Sequence, residues 1–426
     1  MKISILHKTL FFILLLFLPT QLGRHFWPEW SYVMGLRVDY LSPTIYLTDI
    51  LVFLILGIWG IENIRNVKRQ MSNVKSKSQI LKFSFFFTAV FIFLLVNCFF
   101  AQNQGAAVYK LVRIIEFFLL GFYIAKNTYT LDTIRRALPW MVVYSSLIAF
   151  AQFLKQSSLG GVFWWLGERT FNAGTPGIAK IDIDGRFLMR PYATFSHPNV
   201  LAGFILVNLV LILTRNPRLT IGKLVNSLAF ILGLIIIFIS FSRSTWLVGL
   251  LIGLWLLKNL RTSMLRVTGY GLSIFLLVVL LIKLPNFPEE SFVQRIKLGE
   301  IAVRLIKQNP LIGVGLNNFV VNLPKFQQGQ VLWLQPVHNI YLLVAAETGM
   351  VGLLIFLWFL FLTFRKLLYS YTPLLLYPYV SILLLGLFDH YWLTLQQTQL
   401  LFAIVLGLIW GNEEKLAAQI GNKGKN

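Results

Sequence analysis

The stretch GKLVNSLAFILGLIIIFIS, from Gly222 to Ser240, has one charge at Lys223 and then seventeen residues with none. A helix that crosses a bilayer needs about 20 predominantly apolar residues. In lipid only helices and closed barrels satisfy their backbone groups. A barrel strand would alternate apolar and polar residues, whereas this run is continuous. We therefore predict a transmembrane helix over this stretch.

Runs of the same kind recur along the whole chain. Hydrophobic residues make up 57% of the sequence and charged residues 13%, against about 25% charged residues in a soluble domain. The sequence therefore predicts an all-α integral membrane protein, a polytopic helical bundle of about twelve transmembrane helices in a single domain over residues 1–426. The expected spans lie near residues 4–20, 46–61, 83–101, 108–125, 138–154, 198–214, 222–240, 245–257, 267–283, 350–364, 373–388 and 397–410.

The net charge is +22, and many of the basic residues lie in particular connections between the expected spans. They follow every even-numbered span up to the tenth, and an excess of Lys and Arg marks cytoplasmic loops. We expect a multi-pass protein of the cytoplasmic (inner) membrane with both termini cytoplasmic, an uncleaved first helix and no nucleic-acid partner. The basic residues are Arg65, Lys68, Arg69, Lys75, Lys77, Lys82, Lys126, Arg135, Arg136, Arg215, Arg218, Lys223, Lys258, Arg261, Arg266, Arg365 and Lys366.

Two long connections then lie on the extracytoplasmic side, at about residues 156–197 and 285–349. No connection of comparable length is expected on the other side, so we predict that these two loops form the active-site region. The sequence contains no Walker-type or dinucleotide-binding glycine loop. Chemistry that depends on ATP or a nucleotide sugar is therefore not expected.

The first long loop contains a predicted β-hairpin. Alternating residues flank Asp184 and Gly185, a dipeptide typical of tight hairpin turns. Because side chains alternate along a strand, Arg186 and Arg190 are expected to share one face. Asp182 and Asp184 have the spacing of an acidic metal-binding pair, but aspartate is also common at turns.

The second long loop opens with a predicted amphipathic helix that lies near the membrane interface. Arg295 and Arg304 are nine residues apart, which places them on opposite faces of a straight helix. The apolar residues that recur at helical spacing are Leu298, Ala302 and Leu305.

Polar residues interrupt the apolar run at 334–354. His338 stands where a helix is expected to begin, and by residue type alone it is a cap, a packing residue or a proton acceptor. Glu347 is nine residues further on and falls on the opposite face, unless Gly349 marks a break. Tyr341 is one turn on from His338 and is expected to line the same pocket.

Four stretches, in this order, make the chain similar to a known family. The chain resembles the O-antigen ligase and polymerase superfamily of bacterial polytopic membrane proteins, which transfer glycans from undecaprenyl-diphosphate carriers on the outer face of the cytoplasmic membrane. The chain departs from the family pattern at Ala193, where glycine is usual, and at Ser196 and His197, where a small residue and asparagine are common. The four stretches are RPYATFSHPNVLAGF (190–204), SFSRSTWLVGL (240–250), the run from Arg295 through NPLIGVGLNNF (309–319), and HNIYLLVAAETGMVG (338–352).

The resemblance implies a site built on arginine and histidine. A lipid diphosphate leaves as an anion, and the guanidinium fork matches phosphate oxygens. By carry-over Arg243 is an essential residue, although its type alone equally fits contact with lipid headgroups. His338 is the candidate base for the acceptor hydroxyl. Arg190, Arg295, Arg186 and Arg304 are the expected diphosphate contacts, and Asn339, Tyr341, His197 and Asn199 the expected acceptor pocket.

These features predict a metal-independent, inverting glycosyltransferase that needs no cofactor. No two histidines have the helical spacing of a zinc site, and Asp389 and His390 lie in a short connection. The expected partners are an undecaprenyl-diphosphate-linked glycan donor, a glycan, lipid or protein acceptor, and the lipid bilayer.

Two alternative functions are weighed against this one. A lipid-linked oligosaccharide flippase or other transporter should carry charges buried in mid-span, whereas the sequence places nearly all of them at the ends of the expected helices. A peptidoglycan-type glycan polymerase relies on an aspartate in an outer loop, which the arginine and histidine set fits less well.

Overall fold

The computed structural model describes residues 2–70, 78–127, 129–213, 223–259, 289–327, 333–369 and 373–411. Within these ranges the chain is mostly helical, as the sequence predicts. The helices are α1 (Lys2–Leu16), α2 (Leu47–Gln70), α3 (Ser78–Phe100), α4 (Gln104–Lys126), α5 (Thr130–Lys155), α6 (Pro198–Leu213), α7 (Lys223–Ile239), α8 (Arg243–Asn259), α9 (Glu289–Gln308), α10 (Phe319–Asn322), α11 (Ile340–Leu368), α12 (Leu376–Gly386), α13 (Tyr391–Thr394) and α14 (Gln396–Ile409).

The apolar runs of the sequence coincide with these helices. Every expected span but one overlaps a described helix, and the run at 267–283 lies outside the described residues. Among the described helices, the segments Leu47–Ile64, Asp132–Lys155 and Ile340–Leu368 are long and apolar enough to cross a membrane by themselves. The other apolar segments found among the described residues are 10–17 residues long. The polytopic architecture is therefore supported, and the count of twelve crossings stays a prediction.

The centre of the bundle is α6, whose residues from Pro198 to Ile212 are all buried. It packs against α5, α7, α8 and α12. An apolar helix that is buried on every side has little freedom to move, because protein interiors are packed as densely as organic crystals. The residues at the start of α6 therefore have fixed positions.

The long helix α11 is broken at Gly349, where φ is 67° and ψ is −174°. The chain between Pro310 and Gly315 lies in this break and bonds to the backbone groups that the break frees. The Gly315 N–H donates to the Glu347 carbonyl at 2.9 Å, and the Met350 N–H donates to the Pro310 carbonyl at 2.8 Å. The Glu347 side chain is buried, and its Oε1 accepts the Phe319 N–H at 3.4 Å.

The predicted hairpin is confirmed in the connection between α5 and α6. Strands β5 (Lys180–Ile183) and β6 (Arg186–Met189) pair antiparallel around a turn in which Asp184 and Gly185 have φ of 51° and 80°. Two successive residues with positive φ are typical of the tightest hairpin turns. The Gly185 N–H donates to Asp182 Oδ1 at 2.8 Å, which gives Asp182 a place in the turn.

The connection between α1 and α2 also contains sheet, which the sequence did not predict. Strand β1 (Gly23–His25) pairs with β4 (Thr44–Tyr46), and β2 (Tyr32–Val33) pairs with β3 (Leu36–Arg37), both antiparallel. Strands of two or three residues are too short for alternation to be read from the sequence.

The sequence places nearly all charges at the ends of the expected helices, and α4 is an exception. Arg113 and Glu116 lie in the middle of this helix, and both are buried. The guanidinium of Arg113 is 2.7 Å from Glu116 Oε2 and 2.8 Å from Asp49 Oδ1 on α2. Buried charges are tolerated when they are paired. The carboxylates of Glu116 and of Asp49 on the neighbouring helix therefore allow Arg113 to be buried in the middle of α4.

Candidate active site

Three titratable side chains meet where α11 begins. His338 directly precedes the Asn339 cap of α11, and Asp389 and His390 lie between α12 and α13. One nitrogen or oxygen from each of the three lies within 4.8 Å of the others. The rings of His338 and His390 have centroids 5.2 Å apart. We call His338, Asp389 and His390 the histidine cluster.

Asn339 holds the start of α11 against the loop that carries Asp389. Its Oδ1 accepts the Tyr341 and Leu342 N–H groups, both at 2.9 Å, as a helix cap does. Its Nδ2 donates to the Leu387 carbonyl at 3.1 Å. Asn339 therefore fixes the distance between His338 and Asp389. Tyr341 donates its hydroxyl to the Leu383 carbonyl on α12, at 3.1 Å.

Arg295 on α9 reaches the same loop. Its Nη1 donates to the Phe388 carbonyl at 2.8 Å, and its Nη2 lies 3.6 Å from Asp389 Oδ2. The predicted amphipathic helix is confirmed, since Leu298, Ala302 and Leu305 are buried on one face of α9. Arg304 is exposed, so the two arginines have different surroundings, as their spacing predicts.

The charges of the cluster set its protonation. Burial alone would raise the pKa of the Asp389 carboxyl, but His338, His390 and Arg295 hold it well below its usual range, so Asp389 is ionised. Burial lowers the pKa of His338 below 6.5, Asp389 opposes that shift, and Arg295 adds to it. Burial also lowers the pKa of His390 to about 3. Both histidines are therefore neutral at pH 7 and have a free lone pair.

Arg190 is buried a few residues before α6. Its Nε donates to the Ser240 carbonyl and its Nη2 to Asn199 Oδ1, both at 2.6 Å. Burial, with a smaller contribution from Arg295, lowers its pKa to about 10, so the side chain is still a cation at pH 7. Within the described ranges no carboxylate pairs with it. A buried cation without a counter-charge is unfavourable, which makes this position suited to a bound anion.

His197 and Ala193 lie in the turn between Arg190 and α6. His197 Nδ1 accepts the Asn199 N–H at 3.1 Å, and burial and the Arg190 charge lower the pKa of His197 to about 3. Ala193 has φ of 50°, in the left-handed region that favours glycine. Gln152 holds this backbone by accepting the Ala193 N–H at 2.7 Å and donating to its carbonyl at 2.9 Å. Ala193 therefore keeps the conformation that a glycine would adopt.

Arg243 is the first residue of α8 and is exposed. Arg190 donates to the carbonyl of Ser240, which is three residues before Arg243. Both arginines are therefore connected to the turn between α7 and α8. Burial of part of its side chain lowers the pKa of Arg243. The exposure of Arg243 leaves it accessible from outside the bundle.

Arg186 and Arg190 have different surroundings, and their shared face stays a prediction. Arg186 is exposed beside the hairpin turn, whereas Arg190 is buried. Strand β6 ends at Met189, and the Arg190 N–H still donates to the Ala179 carbonyl at 3.0 Å.

No pattern in the sequence connects Asp389 and His390 with His338. About fifty residues separate them along the chain, and their approach depends on α12 folding back beside α11. The available signal was two adjacent titratable residues at the end of an apolar run.

One family model matches the central part of the chain. Residues 228–357 match the family model described as O-antigen ligase. This match supports membership of the O-antigen ligase and polymerase superfamily. The matched O-antigen ligase region includes Arg243, Arg295 and His338, whereas Arg190 and Asp389 lie outside it. No curated protein matches the chain. The family match and the apolar helices together support a membrane-embedded glycan transferase of the O-antigen ligase type.

Proposed function

We propose that the chain transfers an undecaprenyl-diphosphate-linked oligosaccharide or polysaccharide to an acceptor hydroxyl on the outer face of the cytoplasmic membrane. The observation that carries this proposal is Arg190, a buried cation with no carboxylate partner among the described residues. Arg190 and the Asp389 carboxylate of the histidine cluster both act on the pKa of His197. An anionic donor would supply the missing counter-charge.

The arginines would bind the diphosphate. Arg190, Arg295 and Arg243 are the proposed contacts, and Arg186 and Arg304, which are exposed, would contact only outlying parts of the donor. A positive charge about 4 Å from a phosphate contributes about 4 kcal/mol at an effective dielectric constant of about 20. Charge that develops on the bridging oxygen as the sugar leaves would be stabilised by the same groups.

His338 would accept the proton of the acceptor hydroxyl. The acceptor oxygen forms a bond to the anomeric carbon, the bond from that carbon to the diphosphate oxygen breaks, and the proton passes to the neutral imidazole. Asp389 would then stabilise the imidazolium. A single displacement inverts the anomeric centre, and no step in it requires a metal. Asn339, Tyr341, His197 and Asn199 would shape the pocket around the acceptor.

The same proposal sets the membrane topology. A single polytopic domain of about twelve crossings would place both termini in the cytoplasm and the loops at 156–197 and 285–349 outside. The histidine cluster, Arg190 and Arg295 would then face the extracytoplasmic side. Only there would the site meet a donor that has already been flipped across the membrane.

The function is tested with purified protein in lipid nanodiscs. We would incubate it with undecaprenyl-diphosphate oligosaccharide, without added metal, and follow the glycan by gel and mass spectrometry. A ladder of repeat-unit multiples would identify a polymerase, and transfer only after an acceptor is added would identify a ligase. A donor left intact with glycan, lipid and protein acceptors would contradict the proposal.

Replacing Arg243 by alanine should lower the transfer rate by about 10²–10³, the usual effect of removing one group that stabilises developing charge. The matched control is Arg136→Ala, which removes an exposed arginine from α5. The measurement is the initial rate at saturating donor, with thermal unfolding as a check on folding. Equal rates for the two variants would remove Arg243 from the site.

A transporter remains the second candidate, because Arg113 and Glu116 are buried in the middle of α4. Charges within membrane helices commonly mark the pathways of pumps and transporters. A flippase would move a fluorescent lipid-linked donor across a vesicle membrane and leave it chemically intact. Movement without consumption would favour that function, and consumption without movement would favour the transferase.

One observation favours a peptidoglycan-type polymerase, a class that relies on an aspartate in an outer loop. Asp389 is one of the three members of the histidine cluster. The acceptors in the transfer assay distinguish it, since that class would extend a lipid-linked peptidoglycan precursor.

A further inference from the structure

We propose that the histidine cluster also binds a divalent transition-metal ion such as Zn²⁺, and that the bound ion blocks glycan transfer. The first part rests on the geometry of three side chains. The second part rests on the proposed function of His338. The two parts can be tested separately.

Two imidazoles and a carboxylate are a donor set that suits Zn²⁺, Cu²⁺ or Ni²⁺ better than Mg²⁺ or Ca²⁺, which prefer oxygen ligands. In the cluster the three donor atoms lie within 4.8 Å of one another. Zinc–nitrogen bonds of about 2.0–2.1 Å place tetrahedral ligands roughly 3.3 Å apart. Small side-chain rotations would bring the three atoms to that separation, and a fourth position would remain for water.

The lone pairs that an ion needs are free. His338 Nδ1 is buried and has no hydrogen-bond partner among the described residues. His390 Nδ1 is bonded to the Thr394 hydroxyl at 2.7 Å, so its Nε2 is the nitrogen left for an ion, 3.9 Å from Asp389 Oδ1. A hydrogen bond to the second ring nitrogen is how proteins commonly orient a histidine ligand.

Arg295 opposes the ion. Its guanidinium lies 3.6 Å from Asp389 Oδ2, so it shares the carboxylate with any metal and repels the positive charge. The two groups use different oxygens, since Oδ2 is on the Arg295 side and Oδ1 on the His390 side. The ion should therefore bind exchangeably, more weakly than in a structural zinc site.

A bound ion would take the lone pair with which His338 accepts a proton. Metal binding and proton transfer therefore exclude each other on this ring. Transfer should proceed in the presence of a chelator and should fall as Zn²⁺ is added. Mg²⁺ at the same concentration should leave the rate unchanged.

The binding test uses the full chain in nanodiscs, stripped with a chelator and titrated with Zn²⁺ against a chromophoric competitor. We expect one equivalent to bind. Thr394→Val should weaken binding by roughly 10–100-fold, the usual effect of losing a bond that orients a ligand, and His390→Gln should weaken it further. His7→Gln, which alters a buried histidine on α1, should bind as wild type does. Thermal unfolding identifies any variant that fails to fold.

Unchanged affinity in folded Thr394→Val and His390→Gln, or no bound equivalent in wild type, would overturn the metal site. Zinc that binds through the cluster while transfer continues at full rate would leave the site standing and overturn the block. A chain that binds zinc through the cluster but consumes no donor, with or without chelator, would contradict the proposed function alone.

Discussion

Replacing His338 by alanine is expected to lower the initial rate of glycan transfer by about 10²–10⁴, the usual contribution of a positioned general base. The neutral ring at the start of α11 is the only group in the histidine cluster with both a free nitrogen and partial exposure, within the described residues. Donor affinity should change little, since the proposed diphosphate contacts are Arg190, Arg295 and Arg243. The measurement is the initial transfer rate at saturating donor, with binding of the lipid-linked donor measured in parallel.

The matched control is His7→Ala. His7 is a buried histidine on α1 that bonds Tyr123 and Glu62, each at 3.0 Å. Its side chain is less exposed than that of His338. If losing a buried histidine affects only folding, both variants should lose activity in proportion to their loss of thermal stability. A His338→Ala enzyme that transfers glycan at the wild-type rate would contradict the assigned role.

Replacing Gly349 by alanine is expected to destabilise the fold by about 2–6 kcal/mol, from roughly 1–3 for a backbone conformation that essentially only glycine adopts and roughly 1–3 for overpacking. At φ of 67°, a Cβ would lie 2.2 Å from the Leu311 carbonyl oxygen and 2.5 Å from the Ile312 nitrogen. Both contacts are with backbone, so no side-chain rotation relieves them. The measurement is the midpoint of thermal unfolding in nanodiscs.

Gly60→Ala on α2 provides the control, because a Cβ there meets nothing within 4 Å. In a helix this change should be neutral or stabilising by up to about 1 kcal/mol. Equal unfolding midpoints for Gly349→Ala and Gly60→Ala would show that the break in α11 is not a fixed feature. A displaced break would also disturb the 310–315 segment that bonds to it.

Much of the fold could be predicted from local patterns. The long apolar runs coincide with helices because twenty successive apolar residues have few other stable conformations in lipid. The Asp184-Gly185 hairpin and the amphipathic α9 were readable for the same reason, since turn chemistry and the 3.6-residue period are properties of neighbouring residues. The helices and turns that could be predicted are those whose signal is local.

What could not be predicted depends on contacts between distant segments. The ion pair of Arg113 with Asp49 joins two helices, and no spacing within α4 indicates it. The cluster of His338 with Asp389 depends likewise on the packing of α12 beside α11. Metal-site patterns read along the chain detect histidines one turn apart, and these ligands are not on one helix.

The family resemblance supplied residue roles that local patterns could not. It selected Arg190, Arg243, Arg295 and His338 from many basic residues, and the structure ties Arg190 to the turn before Arg243. Ala193 departs from the family glycine, yet its φ of 50° retains the backbone that glycine favours.

The pH dependence of transfer tests most directly whether His338 accepts the proton. Neutral His338 is the active form, so the rate should fall on the acid side as pH drops through its pKa, below 6.5. Asp389 raises the pKa of His338, so Asp389→Asn should move the acid limb to lower pH. Arg295 lowers that pKa, so Arg295→Gln should move the limb to higher pH. Opposite shifts in the two variants would support the assignment. An acid limb at the same pH in both variants and wild type would contradict it.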